Sequence, residues 1–146
     1  MHYISTRGRA PRLGFDDVLL TGLAPDGGLY LPETWPHLDT ETLRGFAGKP
    51  YAEVAAEVMR PFLAGSCAHD ALDELCARAY ARFARAGTCP LVQVDERRWL
   101  LELFHGPTLA FKDVAMQLLG ELFDHVLARR GERITIVGAT SGDTGS

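Results

Sequence analysis

The chain has 146 residues, 47% of them hydrophobic, with a formal net charge of -4 and a pI near 5.7. That much apolar material supports one core of ordinary domain size and excludes a disordered chain. The arginines are scattered among acids instead of forming a block, so nothing points to a nucleic-acid or anionic-membrane partner, and small molecules are the expected partners.

The first residues, Met1 to Gly8, contain no apolar signal core, and no later stretch approaches the length of a membrane span. Three arginines before Leu13 raise the alternative of a transit peptide, but glycine, proline and aspartate interrupt an amphipathic helix there. Cys67, Cys76 and Cys89 are odd in number and show no C-x-x-C or histidine-ligand spacing, which reads as reduced thiols in a cytoplasmic protein.

In chain order, residues 3–6 read as extended, and Asp16 to Leu23 as a helix with Val18, Leu19 and Leu20 inward. Pro25-Asp26-Gly27-Gly28 is turn chemistry, and Leu29 to Pro32 reads as a brief strand stopped by proline. A short helix is predicted over Thr40–Phe46. A second is predicted over Pro50–Leu63, with Val54, Ala55, Val58, Met59 and Phe62 on one face despite Pro61. Residues 70–86 carry Leu72, Leu75, Cys76, Ala79, Tyr80 and Phe83 at helical spacing, which predicts a core helix capped by Asp70 and ended by Gly87. Trp35 and Trp99 are expected to anchor local packing.

Cys89-Pro90 marks a boundary, after which Leu91–Val94 and Trp99–Leu103 read as strands joined by the charged turn Asp95–Arg98. A long helix is predicted from Val114 to Leu127, with Ala115, Leu118, Leu119, Leu122, Phe123 and Val126 inward and Gly131 closing it. Ile134–Val137 is expected to be a buried strand, leading into the glycine-rich loop Gly138–Ser146. Helix, apolar strand and glycine loop together read as the entry to a parallel α/β sheet, where ligands gather at the carboxyl ends of strands.

Two features carry chemistry. The chain has two lysines, Lys49 and Lys112, against thirteen arginines. Arginine stays protonated, so a lysine is needed wherever a neutral amine must attack a carbonyl. Lys112 lies in Phe104-His105-Gly106-Pro107-Thr108-Leu109-Ala110-Phe111-Lys112-Asp113, where apolar neighbours would desolvate its ammonium. A plain helix-starting lysine with its stem on apolar surface is the alternative.

The second feature is the loop Gly138-Ala139-Thr140-Ser141-Gly142-Asp143-Thr144-Gly145-Ser146. Its glycines let several N–H groups converge on one anion, and its hydroxyls add donors, which suits a carboxylate or phosphate. It lacks the Gly-Lys-Ser/Thr of a Walker-A loop and the glycine spacing of a dinucleotide fold. A flexible glycine-serine tail is the alternative.

Four segments together resemble the threonine synthase family, pyridoxal-phosphate enzymes of the tryptophan-synthase-β-like fold (fold type II). They are Tyr3 to Gly8, Gly22 to Tyr30, Leu103 to Asp113 and Thr140 to Gly145. The last two alone would indicate only the wider fold, and the two N-terminal blocks narrow it.

The resemblance implies an α/β chain with two parts. Residues 1–88 would form a mostly helical N-terminal domain, and residues 89–146 the beginning of the parallel-sheet catalytic domain. It implies that Lys112 forms the Schiff base with pyridoxal 5'-phosphate and then serves as acid and base. The reaction implied is conversion of O-phospho-L-homoserine and water to L-threonine and phosphate. It also implies that Thr140, Ser141, Gly142 and Thr144 surround the substrate carboxylate. Asp143, where many relatives carry asparagine, would lie near the 3-hydroxyl of the cofactor.

Phe111 and His105 are drawn toward the cofactor pocket, with plain packing as the alternative for each. The family is several hundred residues long, so the cofactor-phosphate loop and the group facing the pyridine nitrogen are expected beyond Ser146, and these 146 residues alone are expected to bind the cofactor weakly and make no threonine. The alternative readings are a noncatalytic anion-binding or interaction module and another fold type II lyase, such as a serine or threonine dehydratase. The oligomeric state is left open.

Overall fold

The computed structural model describes residues 1–140 and Gly142. Strand β1 (His2–Ser5) is the centre of an antiparallel sheet ordered β2-β1-β3, with β2 at Leu13–Gly14 and β3 at Tyr30–Pro32. Tyr3 lies opposite both Leu13 and Pro32. Along β1 the alternation is strict: Tyr3 and Ser5 are buried, His2 and Ile4 exposed. The Tyr3 hydroxyl donates to the Phe62 carbonyl at 2.9 Å and fastens the sheet to the helical layer.

Asp26 explains why the two N-terminal blocks belong together. Its carboxylate accepts from the Ser5 hydroxyl at 2.8 Å and from the backbone N–H groups of Gly28 at 2.9 Å and Arg9 at 3.0 Å. Desolvation pushes its pKa up, but bonds from Ser5 and the backbone of Gly28, Arg9 and Ala10 outweigh it and hold the group below its usual range. Gly28 is required by close approach: a Cβ there would stand 2.3 Å from the Ser5 hydroxyl oxygen.

The helical layer comprises α1 (Phe15–Thr21), α2 (Thr40–Gly45), α3 (Tyr51–Met59), α4 (Leu72–Tyr80) and α5 (Asp113–Arg130), with a 3₁₀ turn at Arg60–Leu63. Helix α4 packs between α3 and α5 and contributes Leu72, Leu75, Cys76 and Ala79, all fully buried. From α5 the core receives Leu118, Leu122 and Val126, a stripe of four-residue spacing. Ala115 and Leu119, expected inward, lie on the exposed side of that stripe. Gly131 adopts the left-handed conformation (φ 66°) that closes α5, as its position after the basic last turn predicts.

Two helix predictions change in detail. The helix expected over Pro50–Leu63 ends at Met59 and tightens into the 3₁₀ turn, because Pro61 has no N–H for the α ladder. Its buried face centres on Ala56 and Leu63, with Val54 and Val58 on the flanks. The helix expected over 70–86 is confined to Leu72–Tyr80. Asp70 does not cap it: Ala71 holds the N-cap position without a side-chain bond, and Asp70 meets His69 Nδ1 at 2.8 Å. The chain leaves the helix after Ala81, where the Phe83 N–H bonds back only three residues, and the Ala84 N–H turns to the His105 carbonyl at 2.9 Å. Gly87 consequently lies beyond a run of turns and caps nothing.

Strands β4 (Leu91–Gln93) and β5 (Trp99–Leu101) form the expected hairpin, with Leu91 opposite Leu101. Asp95 makes the turn by accepting from the N–H groups of Arg97 and Arg98 and from the Arg98 guanidinium. Both faces of the hairpin are exposed, so Trp99 anchors no core; Trp35 is also largely exposed, with its edge against the Phe62 ring.

The buried strand expected at Ile134–Val137 is absent. Residues 132–140 carry no regular structure, and Val137 is 90% exposed. A parallel strand is buried by neighbouring strands and by helices on both faces, and no strand among the described residues pairs with this segment. No helix among the described residues is long and apolar enough to cross a membrane.

Candidate active site at the head of the fifth helix

Lys112 occupies the N-cap position of α5 and is half-buried. Two groups on the α4 side fix the approach to it. The Tyr80 hydroxyl donates to the Val114 carbonyl at 3.2 Å, and the Ala84 N–H donates to the His105 carbonyl at 2.9 Å. Farther along α5, Glu121 accepts from Arg78 Nε at 2.8 Å and from Arg82 at 3.2 Å. The head of α5 is thus held by the most deeply packed helix of the chain.

The turn before Lys112 is closed by the residue after it. Asp113, 3% exposed, accepts from the Thr108 N–H at 2.8 Å and from the Thr108 hydroxyl at 2.9 Å. Gly106 packs directly on that carboxylate: a Cβ there would lie 2.3 Å from the Asp113 Cβ and 2.4 Å from its Oδ2. The Leu109 N–H returns to the Gly106 carbonyl at 3.1 Å. Leu109 itself takes φ 62°, a left-handed conformation that a branched side chain adopts only when its surroundings enforce it.

Of the apolar neighbours expected to desolvate the lysine, Leu109 and Phe111 are mostly exposed. The Phe111 ring centroid lies 5.8 Å from Lys112 Nζ, within cation–π range. His105 turns away toward Glu102, with Nε2 2.6 Å from the carboxylate, and its ring stands 4.7 Å from that of Phe104. The pair is mostly buried, at 12% and 18% side-chain exposure.

Of the predicted loop residues, Thr140 and Gly142 are described. The Gly142 N–H donates to the Thr140 hydroxyl at 3.2 Å, and both residues are exposed. Ser141, Asp143 and Thr144 lie outside the described residues. Lys112 and Phe111 are therefore side by side.

Asp113 and Thr108 escaped the sequence reading. The available signal was an acid in the first turn of a helix, following a Pro-Thr turn, a pattern that also fits a routine dipole interaction.

Among the described residues, no group of three or more His, Cys, Asp and Glu side chains is arranged to hold a metal ion. Cys67, Cys76 and Cys89 are all free, as their spacing predicts. The candidate chemistry thus rests on one primary amine presented from a locked turn.

Residues 2–80 match the family model described as Threonine synthase N terminus. The threonine synthase of Pseudomonas aeruginosa is 59% identical over 146 residues, covering 100% of this chain and 31% of the relative. That of Methylobacillus glycogenes is 46% identical over 154 residues, covering 100% of this chain and 32% of the relative. Among solved structures, the PLP-bound threonine synthase of Brucella melitensis superposes with a TM-score of 0.95 at 58% identity, covering 99% of this chain and 31% of that one. The chain therefore spans about a third of the length of these relatives. The family model covers more than half of the chain, including both N-terminal blocks joined by Asp26, and the relatives extend the match through the lysine turn. This chain belongs to the threonine synthase family and matches its N-terminal part.

Proposed function

We propose that the chain is the N-terminal portion of a threonine synthase, which converts O-phospho-L-homoserine and water to L-threonine and phosphate with the help of pyridoxal 5'-phosphate. Residues 1–88 form its N-terminal domain, and residues 89–146 begin its catalytic domain. The observation that carries this reading is Lys112: a primary amine at the head of α5, in a turn closed by Asp113, in a chain of this family.

The residues fit the cofactor. Its aldehyde needs a primary side-chain amine, and the chain offers Lys49 and Lys112. Lys112 lies at a helix head, with its Nζ 5.8 Å from the Phe111 ring centroid, in the segment that resembles the family's lysine segment, while Lys49 lies on the helical body. When bound, pyridoxal phosphate supplies the electron sink for bond changes at the α and β carbons of the substrate.

The rest falls to this chain. Lys112 is the attachment point, and once the substrate amine displaces it, Nζ takes and returns protons at those carbons. Phe111 would line the cofactor pocket beside Lys112. Thr140, Ser141, Gly142 and Thr144 would serve the substrate carboxylate, and Asp143 would serve the cofactor 3-hydroxyl. An ionised aspartate cannot donate, so any hydrogen bond it gives there comes from its backbone N–H or a retained proton.

The test is a polypeptide in which residues 1–146 are continued by the remaining portion of the Pseudomonas aeruginosa relative. Incubated with O-phosphohomoserine and cofactor, it is expected to release phosphate and threonine in equal amounts. The Lys112→Ala form is expected to lose at least about 10²–10⁴-fold in rate, the usual contribution of a positioned acid–base group. Ammonia in place of phosphate would favour a dehydratase, and unchanged turnover without Lys112 would remove the lysine from the chemistry.

A further inference from the structure

We infer that Asp113 is the positioning residue for Lys112, acting through a clamp on Thr108 that closes the turn around the lysine; this rests on the reading of Lys112 as the cofactor-bearing amine. The clamp runs from Asp113 back to Thr108, five positions earlier, and encloses Lys112 within it. One carboxylate oxygen takes the Thr108 N–H at 2.8 Å and the other takes the Thr108 hydroxyl at 2.9 Å. A carboxylate that is 3% exposed and doubly bonded has one orientation available, and it fixes Thr108 with two contacts.

The surrounding geometry is built for this clamp. Gly106 is buried and has no room for a side chain on the Asp113 side. Leu109 is held at φ 62° between the two ends of the clamp, and strain of that kind persists only where the structure over-determines it. Two backbone bonds complete the closure: the Leu109 N–H to the Gly106 carbonyl at 3.1 Å and the Asp113 N–H to the Ala110 carbonyl at 3.1 Å. Asp113 itself sits in the first turn of α5, where a negative side chain is also favoured by the helix dipole.

The backbone of Lys112 is thereby pinned from both sides. Asp113, the next residue, is tied back to Thr108, and the Ala115 and Met116 N–H groups bond the Lys112 carbonyl at 3.1 and 2.9 Å. A long, flexible side chain reaches a fixed target best when its Cα and first torsions are preset, since misplacement by about 1 Å costs on the order of 10²-fold in rate. The carboxylate acts through hydrogen bonds and does not need its charge for this role. Asparagine can reproduce both contacts, accepting from the Thr108 N–H and donating to the Thr108 hydroxyl oxygen.

That distinction supplies the test. The chain continued by the relative's remaining portion is incubated with pyridoxal phosphate, reduced with borohydride at timed intervals, and the labelled Lys112 peptide is quantified. Turnover of O-phosphohomoserine is measured alongside. Asp113→Ala is expected to slow labelling about 10²-fold and to lower kcat by a similar factor, with KM within about threefold. Asp113→Asn is expected to restore labelling to within about tenfold of the parent, and Thr108→Val to fall between.

Equal labelling of the parent and Asp113→Ala would overturn the clamp while leaving the reading of Lys112 intact. Asp113→Asn as defective as Asp113→Ala would also overturn it, because charge and not hydrogen bonding would then be at work. A parent unlabelled at Lys112 would sink the underlying reading instead. Should Asp113→Ala not fold, Thr108→Val decides alone: slowed labelling supports the clamp, and unchanged labelling contradicts it.

Discussion

Helices α4 and α5 and the hairpin β4-β5 carry comparable apolar sequence yet end in opposite environments. Leu72 and Leu75 on α4 are fully buried, while Leu100 and Leu101 on β5 are each more than half exposed. A helix satisfies its own backbone and needs only one covered stripe, which α3, α4 and α5 give one another. A strand must find partners for its edges and cover for its faces, and a two-stranded hairpin supplies one edge pairing. The same contrast separates Val126 in the last two turns of α5, fully buried, from Ile136 ten residues on, 74% exposed. In this chain the helices build the platform, and Lys112 stands where that platform meets the sheet-forming sequence.

The comparison can be broken most sharply by truncating one leucine on each side. Leu72→Ala is expected to cost about 2–5 kcal/mol in urea unfolding, the usual range for a fully buried leucine. Leu100→Ala is expected to cost no more than about 1 kcal/mol, because its side chain is half in water already. Equal losses would mean that the hairpin is part of the cooperative core after all.

A smaller effect is expected where the N-terminal sheet depends on close approach. Gly28→Ala places a methyl carbon 2.3 Å from the Ser5 hydroxyl oxygen and 2.9 Å from that of Thr6. The Asp26 network must then shift, at about 1–3 kcal/mol, the typical cost of overpacking. A neutral outcome would show the two N-terminal blocks to be held together by the strands alone.

The smallest effect is one of pH, and it sharpens the difference between the buried helices and the exposed hairpin. Burial pushes the Cys76 thiol up to about 11, with the Asp73 charge adding to it against Arg60. Burial also pushes the Tyr51 phenol up to about 12, reinforced by Cys89. Both groups are neutral when protonated, and their ordinary values are about 8.5 and 10. Their contribution to stability is therefore fully present below about pH 8.5 and is lost as pH rises toward their folded values. Unfolding midpoints are expected to fall on that alkaline limb, and a Cys76→Ala chain to fall less steeply. Parallel slopes would remove Cys76 from the account.

Much of this was legible in the sequence. The stripes of α4 and α5 are legible because helical periodicity records a neighbour three or four residues away, within the element itself. The Asp95–Arg98 turn, the Gly131 cap and the isolation of Lys112 among arginines are legible for the same local reason. What was misread depends on the rest of the fold. The apolar run at Ile134–Val137 reads as buried only if other strands lie beside it. The lower half of the 70–86 stripe is apolar because Phe83 packs on Tyr80, with ring centroids 5.8 Å apart, without continuing the helix. Asp70 has the chemistry of a cap but not its position, which Ala71 occupies. Asp113 went unnoticed because its partner Thr108 lies across a left-handed Leu109, a backbone conformation that no leucine advertises.

The central claim, that Lys112 is the cofactor-bearing amine of a threonine synthase, is tested most directly by mapping the site of reductive labelling. The chain has two lysines, so the experiment has a built-in control. With the continuing catalytic portion present, pyridoxal phosphate followed by borohydride is expected to label Lys112 and leave Lys49 unmodified. Label on Lys49 alone, or on neither lysine, would contradict the account.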